Sequence, residues 1–323
     1  MDSSLVDQRG FIKVNDRFQV ASQRYGHVFA LGDASNHPSP KLAFIAGQQG
    51  AFLAKELVAV LRKKQSDFIN AFPKVETEAM ILPLGPNGGV ESSVLMGIPT
   101  SIRAALRMPR IVIIGAGAAG IALAQALAKD LKLSDSTEVV VLEKSKYYYY
   151  TIGTPRAYVE ESFTKNLFIP YDNAIPKEAS SYVKIVRAVV VRIVGDSKAV
   201  TYRKIGDNDE EVVGSDTTLS YDYLVIATGS SYTVPIKQDG NVNSRADTEY
   251  KLQEVRQQIQ KAQQILIIGG GSVGCEVAGD IASKYPNKSV TILDAANKLV
   301  AGSNLRDKFY DKLSVSLAKL KIK

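Results

Sequence analysis

Cysteine and histidine are scarce in this sequence, which has one cysteine, Cys275, and two histidines among 323 residues. A single cysteine excludes an internal disulfide framework and a Cys-x-x-Cys redox pair. So few cysteines and histidines also argue against a structural zinc site, and no metal is expected. Any redox chemistry of this chain is therefore expected to belong to a bound cofactor.

Targeting and membrane signals are also missing. No apolar run reaches the roughly 18 residues that cross a bilayer. The first residues, Met1–Leu5, lack the basic and apolar segments of a signal peptide, and Asp2 stands where myristoylation requires glycine. These absences predict a cytosolic (cytoplasmic) location. Peripheral contact with a membrane and a homodimeric state are left open.

Basic residues outnumber acidic ones by 40 to 33, which gives a net charge of +7. Such an excess is compatible with nucleic acid or acidic lipid as a partner. The basic residues are scattered, however. The one tight cluster, Arg62-Lys63-Lys64, falls at the predicted end of a helix, where cations favour the helix dipole. We interpret the charge as a solvated basic surface and expect no nucleic-acid partner.

Three blocks can be distinguished along the chain. Residues 1–75 contain the strand Val28–Leu31 and an amphipathic helix over about residues 41–63. Residues 76–109 look irregular and linker-like. Residues 110–323 contain one pattern twice: strand, glycine turn, helix and strand. Alternating elements of this kind build a parallel, doubly wound, three-layer α/β sheet of the Rossmann type.

The first of these two units has the turn Gly115-Ala116-Gly117-Ala118-Ala119-Gly120 after an apolar strand. The first glycine permits a tight turn, the second lets backbone amides approach a pyrophosphate, and the third allows the helix to pack closely on the strand. Glu143 ends the next strand, where a carboxylate can accept hydrogen bonds from ribose hydroxyls. The predicted dinucleotide contacts are Gly115, Gly117, Ala118, Ala119, Gly120 and Glu143.

The second unit has the turn Gly269-Gly270-Gly271-Ser272-Val273-Gly274, and Asp294 ends its next strand. This carboxylate suits the free 2′-hydroxyl of NAD and would repel the 2′-phosphate of NADP. Lys298 lies nearby, so NADPH stays open. One such turn can be purely structural, but two copies in the same context predict two dinucleotide sites. The contacts predicted for the second site are Gly269, Gly271, Gly274 and Asp294.

Two other strand ends fit beside a cofactor. The strand Tyr223–Ala227 ends in Thr228-Gly229, small residues that can pass close to a ligand. The strand that begins at Val28 ends in Gly32-Asp33, where the carboxylate of Asp33 can bond the ribitol of a flavin. The alternative for Asp33 is a turn or helix-cap aspartate.

Together these motifs resemble the apoptosis-inducing-factor-like flavoproteins, in particular their ferroptosis-suppressor (AMID) branch, relatives of type II NADH dehydrogenases. The resemblance rests on GAGAAG, YLVIATGS, GGGSVGCE and VFALGDA, and it covers most of the chain. It identifies an FAD-dependent pyridine nucleotide-disulfide oxidoreductase with FAD in the first site and NAD(P)H in the second. The implied activity passes hydride from NAD(P)H to flavin and electrons on to a small quinone-like acceptor.

The resemblance also assigns roles to three side chains. Lys41 matches a lysine near the flavin that favours negative charge on the reduced ring, the alternative being a solvated lysine at a helix start. Glu276 matches a glutamate near the nicotinamide, the alternative being support of the first helical turn. Arg156 matches an arginine near the flavin, the alternative being a surface ion pair. Lys41 and Glu276 are the candidate catalytic residues, and Arg156 is a candidate cofactor-binding residue.

The order of the motifs is changed relative to the family, because the first third of this chain resembles the family's C-terminal third. The chain is either a circular permutant or a junction between two tandem gene copies. In both cases residues 1–75 and 110–235 form a flavin domain, residues 76–109 bridge its pieces, and residues 236–323 form a partial NAD(P)H domain. The later strands of that domain are not found in the sequence, so a strand edge and apolar surface are expected to be exposed.

Three functions stay open at this point. The chain is an active oxidoreductase, or a flavin-binding inactive paralogue or tandem-gene fragment with a truncated NAD site, or a basic protein that binds nucleic acid or a membrane surface. Flavin that NADH bleaches without oxygen supports the first, and flavin without bleaching supports the second. Salt-sensitive DNA binding without flavin supports the third.

Overall fold

The computed structural model describes residues 3–63, 70–74, 80–83, 89–92, 109–232, 235–236, 244–301 and 305–323. Within these ranges the helices are α1 (Ala43–Lys63), α2 (Ala118–Asp130), α3 (Thr154–Ala157), α4 (Arg245–Lys261), α5 (Ser272–Lys284) and α6 (Asp307–Lys319). The strands are β1 (Val28–Ala30), β2 (Met80–Pro83), β3 (Gly89–Ser92), β4 (Arg110–Ile114), β5 (Glu138–Glu143), β6 (Tyr147–Tyr149), β7 (Phe168–Pro170), β8 (Val183–Val194), β9 (Ala199–Lys204), β10 (Thr217–Ser220), β11 (Tyr223–Ile226), β12 (Gln264–Ile268) and β13 (Ser289–Leu293).

These elements form two compact units. Unit 1 comprises Met1–Lys74, Ile98–Tyr148 and Ile169–Ser231, and unit 2 comprises Val75–Gly97, Tyr149–Phe168 and Tyr232–Lys323. The division departs from the predicted boundaries in two segments, which join unit 2: residues 75–97 and residues 149–168.

Local contacts explain both differences. In the segment predicted to be an irregular linker, β2 and β3 pair in antiparallel fashion, and β2 lies beside α5 and β3 beside α6, two helices of unit 2. In the other segment, the buried side chain of Arg256 on α4 donates hydrogen bonds to the carbonyl of Ala157 (2.7 Å) and to Thr164 Oγ1 (3.0 Å). A buried arginine needs such acceptors, and these ones hold residues 149–168 within unit 2.

Unit 1 is built on a seven-stranded sheet in the order β1-β11-β4-β5-β8-β9-β10. The first five strands are parallel, and β9 and β10 continue the sheet in antiparallel fashion. Strand β1, from the beginning of the chain, pairs with β11, so that Val28 lies opposite Leu224. The parallel-rich α/β sheet is the Rossmann-like fold that the sequence predicts.

Both faces of the sheet are buried at the parallel strands β1, β11, β4 and β5, which explains why these strands read as apolar runs. On one face Ile111 and Ile113 join a core with helices α1 and α2. On the other face Val112 and Ile114 join a core that includes Leu5 from the N-terminal segment. Because successive side chains of a strand point to opposite faces of the sheet, the apolar residues of β4 alternate between these two cores.

Helices α1 and α2 cross closely at a glycine. A Cβ at Gly50 would lie 2.4 Å from the carbonyl oxygen of Ala119, so only glycine fits the crossing. Within the described residues, α1 is the one helix that is long and apolar enough to cross a membrane, judged by length and composition. Most of it is buried in this core, where Leu53 and Leu57 are fully covered. Core packing therefore accounts for its apolar character.

Unit 2 contains the parallel pair β12 and β13, with α5 packed on one face. The other face leaves three large apolar side chains exposed: Leu266 by 58%, Ile268 by 80% and Leu293 by 55%. At the far edge of β13, the backbone of Lys323 bonds to Val290 and Ile292. The expectation of exposed apolar surface in this unit agrees with these values.

Candidate functional site

The first glycine turn connects β4 to α2 in unit 1. Gly115 has φ +93°, a left-handed conformation that favours glycine, and a Cβ there would lie 2.6 Å from the carbonyl oxygen of Ala227. A Cβ at Gly120 would lie 1.9 Å from the Gly115 carbonyl oxygen, whereas nothing lies within 4 Å of a Cβ at Gly117. The three glycines thus provide a turn, an open approach and a close packing contact.

The second glycine turn, between β12 and α5 in unit 2, has the same geometry. Gly269 has φ +109°, a Cβ at Gly274 would lie 2.0 Å from the Gly269 carbonyl oxygen, and nothing lies within 4 Å of a Cβ at Gly271. Gly117 and Gly271 both enter their helices from extended backbone, with ψ of −167° and −176°. Each helix therefore begins at an open space bordered by backbone N–H groups, which suits a pyrophosphate.

The distal acid of each unit braces its own glycine turn. Glu143 accepts hydrogen bonds from the N–H groups of Ala116 (2.6 Å) and Ser145 (2.8 Å). Asp294 accepts them from Ala296 (2.7 Å) and Gly270. These two N–H groups lower the pKa of Asp294, so it stays ionised. Each carboxylate oxygen keeps a further lone pair, so ribose contact remains a prediction for both acids.

The remaining predicted residues of unit 1 lie at the same edge of its sheet. Parallel strands place their carboxyl ends together. Strands β1, β11 and β4 end at Ala30, Ile226 and Ile114, so that Gly32, Thr228 and Gly115 follow within two residues, and β5 ends at Glu143. Ala118 and Ala119 form the first turn of α2 at this edge. Unit 1 therefore brings Gly32, from the first part of the chain, to the sheet edge that also holds Gly115, Glu143 and Thr228, whereas Arg156 belongs to unit 2.

Asp33 joins this group through a direct contact. Its carboxylate accepts a hydrogen bond from Ser230 Oγ at 2.9 Å, although the two residues are 197 positions apart. Gly32 and Gly229 flank the contact with φ of +58° and +71°, which explains the glycine at both positions. Asp33 is only partly buried, so it remains accessible to a ligand.

Lys41 is an exposed residue two positions before the start of helix α1, but its ammonium group is bound to nearby backbone carbonyls. Its ammonium donates hydrogen bonds to the carbonyls of Gly32 (3.2 Å), Ser35 (2.5 Å) and His37 (3.4 Å). Desolvation lowers its pKa, and the nearby charge of Asp33 opposes that shift. Lys41 therefore closes the turn that carries Asp33 and places a positive charge there.

A buried glutamine that the sequence analysis does not identify supports the same turn. Gln49 on α1 is 1% exposed; its Oε1 accepts the N–H of Gly32 (2.8 Å) and its Nε2 donates to Ser39 Oγ (2.7 Å). Ser39 Oγ in turn lies 2.8 Å from His37 Nδ1. A polar residue at an inward position of an amphipathic helix is the one signal that could have marked it.

In unit 2, the predicted cofactor residue Arg156 forms an ion pair with Asp280 on α5. Arg156 Nε lies 2.7 Å from Asp280 Oδ1, and the aspartate side chain is 2% exposed. The contact links α3 to α5. The sequence left two interpretations of Arg156, a contact near the flavin or a surface ion pair. The structure shows an ion pair, and its aspartate partner is buried.

Glu276 lies one helical turn before Asp280 and is buried, 8% exposed. Desolvation, and then repulsion from Asp280, raise its pKa from 4.5 to about 8. Glu276 is therefore neutral near pH 7 and can donate a proton as well as accept one.

Replacing Glu276 with glutamine is expected to change how stability depends on pH. The folded state retains a proton that the unfolded state releases near pH 4.5, so this stabilisation is complete below that pH and is lost as pH rises through about 8. The unfolding free energy of the unsubstituted chain should therefore fall relative to Glu276→Gln by on the order of a few kcal/mol across this window. Urea unfolding of both proteins at several pH values measures it; parallel pH curves would contradict it.

Cys275 is fully buried at the start of α5. Burial raises the pKa of its thiol to about 11, and its Sγ lies 3.7 Å from the Gly270 carbonyl oxygen. A protonated, covered thiol is a poor nucleophile. Cys275 is therefore a packing residue of the second turn.

A family model described as pyridine nucleotide-disulphide oxidoreductase matches residues 109–323. Apoptosis-inducing factor homolog A of Dictyostelium discoideum is 36% identical over 217 residues, which are 65% of this chain and 47% of that protein. Ferroptosis suppressor protein 1 of Xenopus tropicalis is 30% identical over 198 residues, 61% of this chain and 46% of that protein. The chain thus spans about half the length of the curated relatives it matches.

Among solved structures, the sulfide:quinone oxidoreductase of Aquifex aeolicus is similar with a TM-score of 0.48 and 17% identity, covering 67% of this chain and 50% of that one. A NAD-dependent persulfide reductase of A. fulgidus has a TM-score of 0.45 and 25% identity, covering 66% of this chain and 39% of that one.

Proposed function

The chain belongs to the pyridine nucleotide-disulphide oxidoreductase family, whose cofactors are FAD and NAD(P)H, and from this premise we propose that it is an FAD-dependent NAD(P)H oxidoreductase with a quinone-like acceptor. One observation carries the proposal: the same glycine-turn geometry occurs twice, and in unit 1 it lies at the sheet edge that also holds Asp33. FAD would occupy unit 1 and NAD(P)H unit 2.

The residues of unit 1 fit FAD. The open space at Gly117 and the N-terminus of α2 suit the pyrophosphate, and Glu143 lies at the strand end where ribose hydroxyls bind. The carboxylate of Asp33, held by Ser230, is an acceptor for ribitol hydroxyls. The ammonium of Lys41, fixed to the same turn, supplies positive charge that favours a reduced, anionic flavin ring.

In unit 2, Asp294 favours NADH over NADPH. Its carboxylate stays ionised at the end of β13 and would repel a 2′-phosphate. Lys298, the residue that could attract that phosphate, lies over the ring of Tyr310 with its Nζ 3.3 Å from the centroid. Glu276, just beyond the second turn, is proposed to face the nicotinamide and to hold or move a proton there.

The flavin supplies the redox chemistry, taking hydride from NAD(P)H and giving electrons to the acceptor. The protein has no dithiol of its own, since its one cysteine is buried and protonated. Electrons therefore leave the flavin directly, which favours a small quinone-like acceptor over a disulfide.

The purified chain is expected to contain yellow FAD that NADH bleaches without oxygen and that a soluble quinone restores. NADPH should bleach it more slowly, because of Asp294, and glutathione disulfide should not restore the colour. Visible absorbance in an anaerobic cuvette measures all three steps. A flavin that quinone leaves reduced would overturn the proposed acceptor, and the absence of flavin would overturn the function.

The exposed apolar surface of unit 2 supports a second candidate function, that of a flavin-binding protein without NAD(P)H activity. The exposed apolar face of β12 and β13, with Leu266, Ile268 and Leu293, weakens the fold of the nicotinamide unit. The chain would then be a flavin-binding inactive paralogue. Bound FAD that NADH does not bleach supports this alternative. A cytosolic location, peripheral membrane contact and a homodimer stay predictions.

A further inference from the structure

A side chain outside the glycine motif holds the first turn. The hydroxyl of Tyr171 donates a hydrogen bond to the carbonyl of Ala116 at 2.8 Å. The N–H of Ala116 donates to Glu143 at 2.6 Å. The residue between the first two glycines is therefore fixed on both sides, once by the expected acid and once by a tyrosine from a distant segment of unit 1.

This contact determines the direction of a neighbouring donor. A trans peptide group is planar, and its C=O and N–H bonds point in opposite directions. Because the carbonyl of Ala116 points to Tyr171, the N–H of Gly117 points away from Tyr171. Nothing lies within 4 Å of a Cβ at Gly117, so this part of the turn borders open space. Tyr171 thus orients a backbone donor of the kind that binds phosphate oxygens.

The second glycine turn braces the equivalent carbonyl with other donors. The carbonyl of Gly270 accepts the N–H of Val300 at 2.8 Å, and the thiol of Cys275 lies 3.7 Å away. The two turns therefore share the bracing but not the residue that performs it. Because both turns bind this carbonyl, of Ala116 in one and of Gly270 in the other, we infer that its support is a structural requirement of the glycine turn.

Tyr171 is suited to the role because its hydroxyl stays protonated. Its ring packs against the core of unit 1. Desolvation, and then the charge of Glu143, raise its pKa far above neutrality. The hydroxyl is therefore available as a donor at any physiological pH, and the packed ring limits its movement.

We propose that Tyr171 is a positioning residue for the FAD pyrophosphate, acting through the Ala116–Gly117 peptide. The inference rests on the proposed function. It concerns binding of the phosphate-containing half of the cofactor, so ADP, which carries that pyrophosphate without the flavin, is a suitable probe.

The test compares Tyr171→Phe with Tyr182→Phe. The hydroxyl oxygen of Tyr182 lies 3.0 Å from the carbonyl oxygens of both Ala128 and Leu131, at the opposite end of α2, and its one proton can be donated to either. Each substitution removes one tyrosine hydroxyl: that of Tyr171 binds the glycine turn before α2, and that of Tyr182 binds the C-terminal end of α2. Tyr171→Phe should raise the dissociation constants of FAD and of ADP by the same factor, about fivefold, as expected for one net hydrogen bond. Tyr182→Phe should lower the urea midpoint and leave both constants unchanged.

Titration of the apoprotein with FAD and with ADP gives these constants. Equal FAD affinity in Tyr171→Phe and the unsubstituted chain would overturn this inference alone. The inference would also be overturned if Tyr182→Phe raised the FAD dissociation constant as much as Tyr171→Phe does. The loss of affinity would then come from destabilising α2 as a whole and not from the Ala116–Gly117 peptide. Failure of the unsubstituted chain to bind FAD would overturn the proposed function and this inference with it.

Discussion

Gly120→Ala is expected to unfold the first site, and Gly274→Ala is expected to disable the second while flavin stays bound. A Cβ at these positions would lie 1.9 Å and 2.0 Å from a backbone carbonyl oxygen. Backbone cannot move aside as a flexible side chain does, so each substitution should cost on the order of 3 kcal/mol. Gly120→Ala should therefore yield colourless protein, and Gly274→Ala yellow protein that NADH does not bleach.

The middle glycines give the contrast that separates binding from folding. Nothing lies within 4 Å of a Cβ at Gly117 or Gly271, and neither has a left-handed φ. Alanine there should leave the urea midpoint of the cofactor-free protein unchanged, but its methyl group would enter the space proposed for a pyrophosphate. Gly117→Ala should therefore weaken FAD binding alone, and Gly271→Ala NADH binding alone.

Two measurements decide between these outcomes: the flavin content of the purified variants and their unfolding in urea without cofactor. Gly26→Ala is a neutral control, since it also meets nothing within 4 Å and has φ −59°. Full FAD content in Gly117→Ala would contradict the proposed position of the pyrophosphate. Full stability of Gly120→Ala would contradict the close contact in the turn.

Local sequence patterns predicted most of unit 1 because its strands are apolar runs that end in glycine turns, as at β4 and β11. Helix α4 left no such signal. It is largely polar, and its buried positions include the arginine Arg256, whose acceptors lie about a hundred residues earlier. Its position in unit 2 depends on tertiary contacts, which cannot be predicted from the spacing of apolar residues in the sequence. The hairpin of β2 and β3 was missed because glycine and proline between two short strands look like a linker.

The residues of the candidate site also fall into two groups, those predictable from motif spacing and those placed by tertiary packing. The glycine turns and their acids follow from spacing, because strand, turn and helix are continuous in sequence. The partners of Asp33 and Gly32 do not. Ser230 and Gln49 reach them through the pairing of β1 with β11 and through the packing of α1, respectively. The role of each acid was also only partly predictable, since the sequence indicates a carboxylate at the strand end but not that backbone amides occupy both of its oxygens.

Arg156→Met is expected to destabilise unit 2 more than any other single ion-pair change in the described part of this unit. It removes the guanidinium from Asp280, a carboxylate that is 2% exposed, and loss of one partner from a buried pair typically costs about 3–5 kcal/mol. A neighbouring pair provides a matched control. Lys284 and Glu160 join α5 to the segment after α3 at the same distance of 2.7 Å, but their side chains are 42% and 39% exposed.

Because water and salt screen exposed charges, Lys284→Met should cost less than about 1 kcal/mol. The double variant Arg156→Met/Asp280→Leu should recover much of the loss, since no buried charge then remains at that contact. Urea unfolding of the three variants at one pH gives the values, and the flavin content should stay unchanged throughout, because unit 1 holds the proposed FAD residues. Equal effects of Arg156→Met and Lys284→Met would show that burial does not strengthen the Arg156–Asp280 pair. A large loss of flavin in Arg156→Met would instead favour the direct role near the flavin that the family resemblance assigns to this arginine.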